Sequence, residues 1–203
     1  GLPRAYFAGD RTGLALMQTA WEQLVREGVT LYEEWAVTSL IVEEGRFAGL
    51  VAYRIADGTL EEFQGRACVL ATGPAGQIYL KSTNAVTCTG DGLAQAMHVG
   101  GALKDMEFIQ FHPTALHGPN MLITEAARGE GGILKNALGE RFMEKYSPKM
   151  LDMAPRDIVS RAIQTEADAG RAFPGGYVHL DLTHLGEARI KERLPEVYQF
   201  ATE

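Results

Sequence analysis

The sequence predicts an α/β region over residues 1–105 followed by a smaller α+β region over 106–203. Three observations lead there. Residues 12–27 carry apolar side chains at helical spacing. Residues 29–64 change to β-branched and aromatic runs broken by turn residues. Near residue 105 the pattern shifts to short irregular pieces ended by helical stretches, and 203 residues suffice for one large domain or two small ones.

In chain order, Leu14, Met17, Trp21 and Leu24 line one helical face, and Gly28 supplies a stop. Glu43-Glu44-Gly45 and Asp57-Gly58 are turn signals, so 29–64 reads as a meander of three or four strands. "ACVLATG" (67–73) reads as a strand buried on both faces, because it is apolar throughout. A loop capped by Thr89 should lead into a helix over 91–99. "GGILKNALGERFM" reads as a hairpin turning near Ala137–Gly139. Pro155 and Gly170 bracket a helix over 156–169, and "YVHLDLTHL" leads to a helix over 186–202.

Composition narrows the function classes. Hydrophobic residues make up 46% and charged residues 22%, which permits a packed core. A net charge of −7 leaves no electrostatic footprint for nucleic acid. An anionic ligand would have to be held by local arginines and backbone amides. Cys68 and Cys88, with no CxxC spacing, point to a reducing compartment and to small buried or half-buried residues. No apolar run is long enough to span a membrane. The abrupt start at Gly1 and end at "QFATE" suggest a piece of a longer protein.

Five stretches could carry chemistry. In "VLATGPAGQIY", Thr72, Gly73 and Gly76 let backbone approach a ligand closely, although an ordinary strand-to-loop turn reads the same way. In "CTGDGL", Asp91 lies between glycines at a helix start, where it could take a ribose hydroxyl or simply cap the terminus. In "FIQFHPT", His112 could donate to a ligand carboxylate or be structural. In "LITEAARGEGG", Glu125 and Arg128 stand three residues apart on one helical face: a weak pair if solvated, a functional one if buried. In "MAPRDIVSRAI", Arg156 occupies a first helical turn beside Asp157, as an anion clamp or a helix-start salt bridge. His179, Asp181 and His184 lack a convincing further ligand, so no metal is expected.

Taken together, the ordered blocks "RAYFAGDRTG", "CVLATGPAGQIY", "TGDGLAQA", "QFHPT", "LITEAARGEGG", "GERFMEKYSP" and "APRDIVSRAI", closed by "GGYVHLDLTHLG", resemble the flavoprotein subunit of succinate dehydrogenase and fumarate reductase. The resemblance spans essentially the whole chain. It implies part of a two-dinucleotide-binding-type FAD domain with an inserted β-meander, over 1–105, followed by an incomplete capping domain over 106–203. It implies FAD as cofactor, a dicarboxylate substrate (succinate or fumarate), an iron–sulfur subunit and membrane-anchor subunits as partners, and a peripheral position on the cytoplasmic side of a membrane.

The same resemblance implies residue roles. Asp91, Thr72 and Gly73 contact FAD, and His112 and Thr124 bind substrate carboxylate. Arg156 exchanges the proton, and Glu125 and Arg128 relay it. Arginine's ordinary pKa above about 12 opposes such a role unless the pocket is desolvated and tightly paired. The glycines from Gly129 onward would let backbone pass close to the flavin pocket. No GxGxxG opens the chain, so the segment alone is expected to be inactive. Rival readings are L-aspartate oxidase, which shares the fold, and a non-catalytic interaction or structural module.

Overall fold

The computed structural model describes residues 6–202, which form two compact units. One comprises residues 28–109; the other joins residues 6–27 to 110–202. The units therefore interleave along the chain, and the helical stretch over 12–27 groups with the second half of the sequence.

Residues 28–109 hold an antiparallel meander of β1 (Trp35–Glu43), β2 (Arg46–Arg54) and β3 (Leu60–Gln64), in that spatial order. Glu44 and Gly45 both have positive φ, 49° and 74°, the tight hairpin turn that matches strand twist. Asp57 Oδ1 accepts the Thr59 amide at 3.0 Å and shapes the second turn. Gly49 is required on β2, since a Cβ there would lie 2.6 Å from the Phe63 carbonyl. Tyr32, Trp35 and Phe63 pack edge to face on this sheet. Helix α1 (Thr12–Arg26), of the other unit, forms where expected and ends before Gly28 at φ 65°, yet none of its residues is buried.

Residues 67–73 depart from expectation: they form no strand, Val69 is 89% exposed, and Cys68 is exposed rather than buried. Both of the described sheets are built from other segments, so among the described residues no strand pairs with this run. Helix α2 (Asp91–His98) forms, but Gly90 in the left-handed region precedes it, and Thr89 bonds Asp91 instead of capping. Gln95, buried on α2, donates to the Val37 carbonyl at 2.7 Å, beside a bulge in β1.

The other unit is built around two apolar clusters. Leu134, Phe142, Met143, Ala154, Val159 and Ala162 form one; Ile123, Ala127, Leu194 and Val197 form the second, and Leu180 packs against both. The hairpin expected over 131–143 is not formed. β4 (Ile133–Lys135) pairs instead with β5 (His179–Asp181), antiparallel, Leu134 opposite Leu180. Asn136 Oδ1 accepts the Leu138 and Glu140 amides and turns the chain into α4 (Met143–Tyr146), after the short α3 (Ala126–Gly129). Helix α5 (Arg156–Asp168) begins after Pro155 and ends at Gly170, φ 72°. The last helix is two, α6 (Glu187–Arg193) and α7 (Pro195–Thr202). Pro195 forces the break because it lacks an amide hydrogen and disfavours a helical residue before it, so Leu194 adopts φ −137°, ψ 53°.

Candidate functional site

Gly131 and Gly132, after Arg128, lie against the unit's own residues, whereas a Cβ at Gly129 would meet nothing within 4 Å. A Cβ at Gly132 would stand 2.7 Å from the Ala127 carbonyl and 2.9 Å from Leu180, so only glycine lets α3 fold back on β5. Gly131, at φ 113°, faces Leu185 and His184.

That close fold-back fixes α3, and with it Glu125 and Arg128. Ile123 and Ala127 are buried four residues apart in the second apolar cluster, which turns Glu125 outward to 43% side-chain exposure. Arg128 is fully buried. Its Nη1 donates to the Asp152 carbonyl at 2.6 Å. Its Nε and Nη2 make no hydrogen bond among the described residues, while Nη2 lies 3.9 Å from Glu125 Oε2. Burial pushes the Arg128 guanidinium below its ordinary pKa, Glu125 opposes that shift, and Arg156 adds to it.

Arg156 is the first residue of α5. Its Nε and Nη2 both donate to Glu125 Oε2 at 3.1 Å, and Nη1 donates to Gln110 Oε1 at 3.2 Å. Asp157 pairs with Arg161, so the salt bridge at the start of α5 runs from Arg156 to Glu125 and not to its neighbour. One carboxylate oxygen thus bridges two arginines, one buried and one 38% exposed.

His112 sits beside this pair because residues 114 and 123 bond each other. The Ile123 amide donates to the Thr114 carbonyl at 3.0 Å, and Thr114 Oγ1 donates to the Ile123 carbonyl at 2.9 Å. His112 Nδ1 donates to the Thr114 carbonyl at 2.9 Å. Burial holds the imidazole pKa below its ordinary value, with Arg156 and Arg128 adding to the effect. Thr124 Oγ1 accepts the Ala126 amide at 3.3 Å, at the entry to α3. His112, Thr124, Glu125, Arg128 and Arg156 therefore belong to one unit, and Glu125 directly joins the last two.

Thr72, Gly73 and Asp91 belong to the other unit. There the turn after residue 71 lies against the start of α2: a Cβ at Gly92 would come within 2.1 Å of Thr72 Oγ1. Gly73 and Gly90 both take positive φ, 77° and 84°. No side chain caps α2, so its first amides remain available to an anion. Thr89 Oγ1 donates to Asp91 Oδ2 at 2.5 Å.

Sequence reading missed Gln110, Asp152 and Arg141. Gln110 stands in the "QFHPT" block, two residues before His112, which was a usable signal. Asp152 had none, being 24 positions from Arg128. Among the described residues, no three His, Cys, Asp or Glu groups gather to hold a metal. Asp181 instead takes Lys135 at 2.6 Å, which holds its carboxyl well below the usual range. His179 stacks on Phe173, centroids 3.9 Å apart.

A family model described as an FAD binding domain matches residues 3–203. The chain is 44% identical over 200 residues to a succinate dehydrogenase flavoprotein subunit of Rickettsia felis, covering 98% of this chain and 34% of that protein. It is 45% identical over 198 residues to the 8-methylmenaquinol:fumarate reductase flavoprotein subunit of Wolinella succinogenes, covering 96% and 32%. A solved quinol fumarate reductase of E. coli superposes with a TM-score of 0.90 at 38% identity, covering 98% of this chain and 37% of that one. The chain spans about a third of the length of the curated relatives it matches. The start of α2, with uncapped amides and glycines that admit close backbone approach, fits one part of an FAD site.

Proposed function

The chain belongs to the FAD binding domain family, and on that premise we propose that it is the substrate-handling part of a flavoprotein that interconverts succinate and fumarate. The observation that carries this reading is Glu125 Oε2 standing between Arg156 and Arg128. Two arginines on one partly exposed carboxylate are more than a single surface pair requires. They form a route by which Arg156 can lose or regain a proton with a partner at hand.

Bound FAD would supply hydride acceptance and donation at carbon. Thr72, Gly73 and Asp91 would hold part of it, through backbone approach, the α2 amides and a carboxylate for a hydroxyl group. His112 and Thr124 bind and orient the dicarboxylate. Arg156 gives a proton to fumarate, or takes one from succinate, at the carbon next to the one that exchanges hydride. Glu125 and the desolvated Arg128 restore its charge state. Desolvation lowers Arg128's hold on its proton, which is the direction such a relay needs.

In this reading, residues 106–203 supply most of the capping domain and residues 1–105 the middle part of the FAD domain. The partners are an iron–sulfur subunit and membrane-anchor subunits, and the protein sits peripherally on the cytoplasmic side. Among the described residues no helix is long and apolar enough to cross a membrane.

The test is turnover of the full-length flavoprotein with an artificial dye. Succinate oxidation with bound flavin is the expected outcome. Turnover of L-aspartate alone would replace this reading with an L-aspartate oxidase. Flavin binding without turnover of either would leave a non-catalytic module.

A further inference from the structure

Among the described residues, the Arg128 side chain makes one hydrogen bond, from Nη1 to the Asp152 carbonyl at 2.6 Å. What fixes that carbonyl therefore fixes Arg128. Asp152 lies in a 3-10 turn, Leu151–Met153, whose first residue has φ 49°. An isolated turn of this kind is a poor anchor. The Asp152 side chain supplies the anchorage. It is 3% exposed; Oδ1 accepts the Leu134 amide at 2.8 Å, and Oδ2 accepts Arg141 Nε at 2.7 Å and Nη2 at 2.5 Å. Leu134 belongs to β4 and to the first apolar cluster, so the turn is tied to the most buried part of the unit.

We propose that Asp152, clamped by Arg141, is a positioning residue for proton delivery: it sets the place of Arg128, and hence the 3.9 Å separation of Arg128 Nη2 from Glu125 Oε2. Neither Asp152 nor Arg141 hydrogen-bonds Glu125, Arg156 or His112. Asp152 hydrogen-bonds the relay only through its backbone carbonyl, while its carboxylate acts on Arg128 at longer range, opposing the fall in the guanidinium pKa. This inference rests on the relay reading of Glu125, Arg128 and Arg156. Both carboxylate oxygens of Asp152 are engaged, one by a backbone amide and the other by the Arg141 guanidinium. Displacing the Asp152 carbonyl displaces Arg128, and a small displacement of a relay member costs rate without altering substrate affinity.

The experiment uses the full-length flavoprotein with its flavin and compares Asp152→Asn, Arg141→Lys and Arg128→Met. Asn keeps the shape of Asp152 but weakens the two-point contact; Lys keeps the charge of Arg141 but not its fork. Expected are a kcat about tenfold lower for Asp152→Asn, and about threefold lower for Arg141→Lys, each with KM within about twofold. The solvent deuterium isotope effect on kcat rises in both, because proton delivery becomes slower. Flavin content stays at the wild-type level. A kcat and isotope effect equal to wild type in either folded variant overturns the proposal, as does a rise in KM matching the loss of kcat/KM. Should Asp152→Asn fail to fold, Arg141→Lys decides by the same criteria. Arg128→Met separates the two ideas. If it turns over normally, the relay itself is wrong; if it is inactive while Asp152→Asn and Arg141→Lys are normal, only the positioning role is lost.

Discussion

Glu125 Oε2 accepts two hydrogen bonds from Arg156, at 3.1 Å each, while lying 3.9 Å from the buried Nη2 of Arg128. The two arginines reach this oxygen by different routes. Arg128 comes from the same short helix, and Arg156 comes from 31 residues away. The exposures of 38% for Arg156 and 43% for Glu125 say what that contact is worth. A pair this wet stabilises the fold by at most about 1 kcal/mol.

Arg156→Lys should therefore barely move the melting temperature while removing turnover. Lysine keeps the charge but cannot place two donors on one carboxylate oxygen and a third on Gln110. In the full-length flavoprotein, kcat should fall more than about a hundredfold with flavin still bound. Steady-state kinetics and flavin absorbance check this, and turnover within about tenfold of wild type would end the proton-donor role.

Arg128→Met tests the buried arginine against the same background. Methionine has similar length and no charge, and replacing a poorly satisfied buried ion by an apolar side chain is often neutral. Two of the guanidinium nitrogens lack hydrogen bonds, so little is lost by removing them. Thermal unfolding should change by no more than about 1 kcal/mol, the freed Asp152 carbonyl offsetting the relief of desolvation. Turnover should disappear. A large loss of stability with turnover retained would make Arg128 a structural ion.

His112 predicts a pH dependence of binding. Its Nδ1 hydrogen is engaged by the Thr114 carbonyl, so Nε2 can donate to a carboxylate only in the imidazolium form. In the free protein its pKa lies below the usual value, chiefly through burial. A bound dianion favours the charged form, so binding takes up a proton and weakens as pH rises. Malonate titrated against flavin absorbance should bind about fivefold more weakly at pH 8 than at pH 6. His112→Gln should flatten that profile; a profile unchanged by the substitution would exclude His112 as the group responsible.

Acid stability rests on a different carboxylate. Glu166 is 1% exposed, and its carboxyl is pulled down to about 2 by Arg171, with Tyr146 and Asn136 also donating to it. A carboxylate pKa below its unfolded value of 4.5 stabilises the fold above that pH, and the contribution is lost as pH falls from 4.5 towards 2. Glu166→Gln should cost about 3 kcal/mol at pH 7, as breaking one side of a buried ion pair does. It should also shallow the acid limb of the unfolding curve between pH 4.5 and 2. Wild-type stability across that range would contradict the linkage.

The sequence by itself determined the meander and helices α1, α2 and α5, and singled out Glu125, Arg128 and Arg156 as candidates. Each is a local matter: helical spacing in 12–27, a turn pair at Glu44-Gly45, Pro155 ahead of Arg156, and an acid three residues before an arginine. Only the tertiary structure decided which pieces pair. β4 took its partner from 46 residues away, at β5, because Leu134 and Leu180 bury together there, although the tight turn at Asn136 suggested a nearer one. Residues 67–73 were apolar enough for a buried strand, yet a strand forms only where neighbouring backbone accepts its hydrogen bonds. The site divides in the same way. Spacing alone put Glu125 beside Arg128, whereas the fold brought Arg156 to Glu125 and put the carbonyl of Asp152 on Arg128. Contacts at such separations leave no periodic trace in a sequence, because packing sets them and local propensity does not.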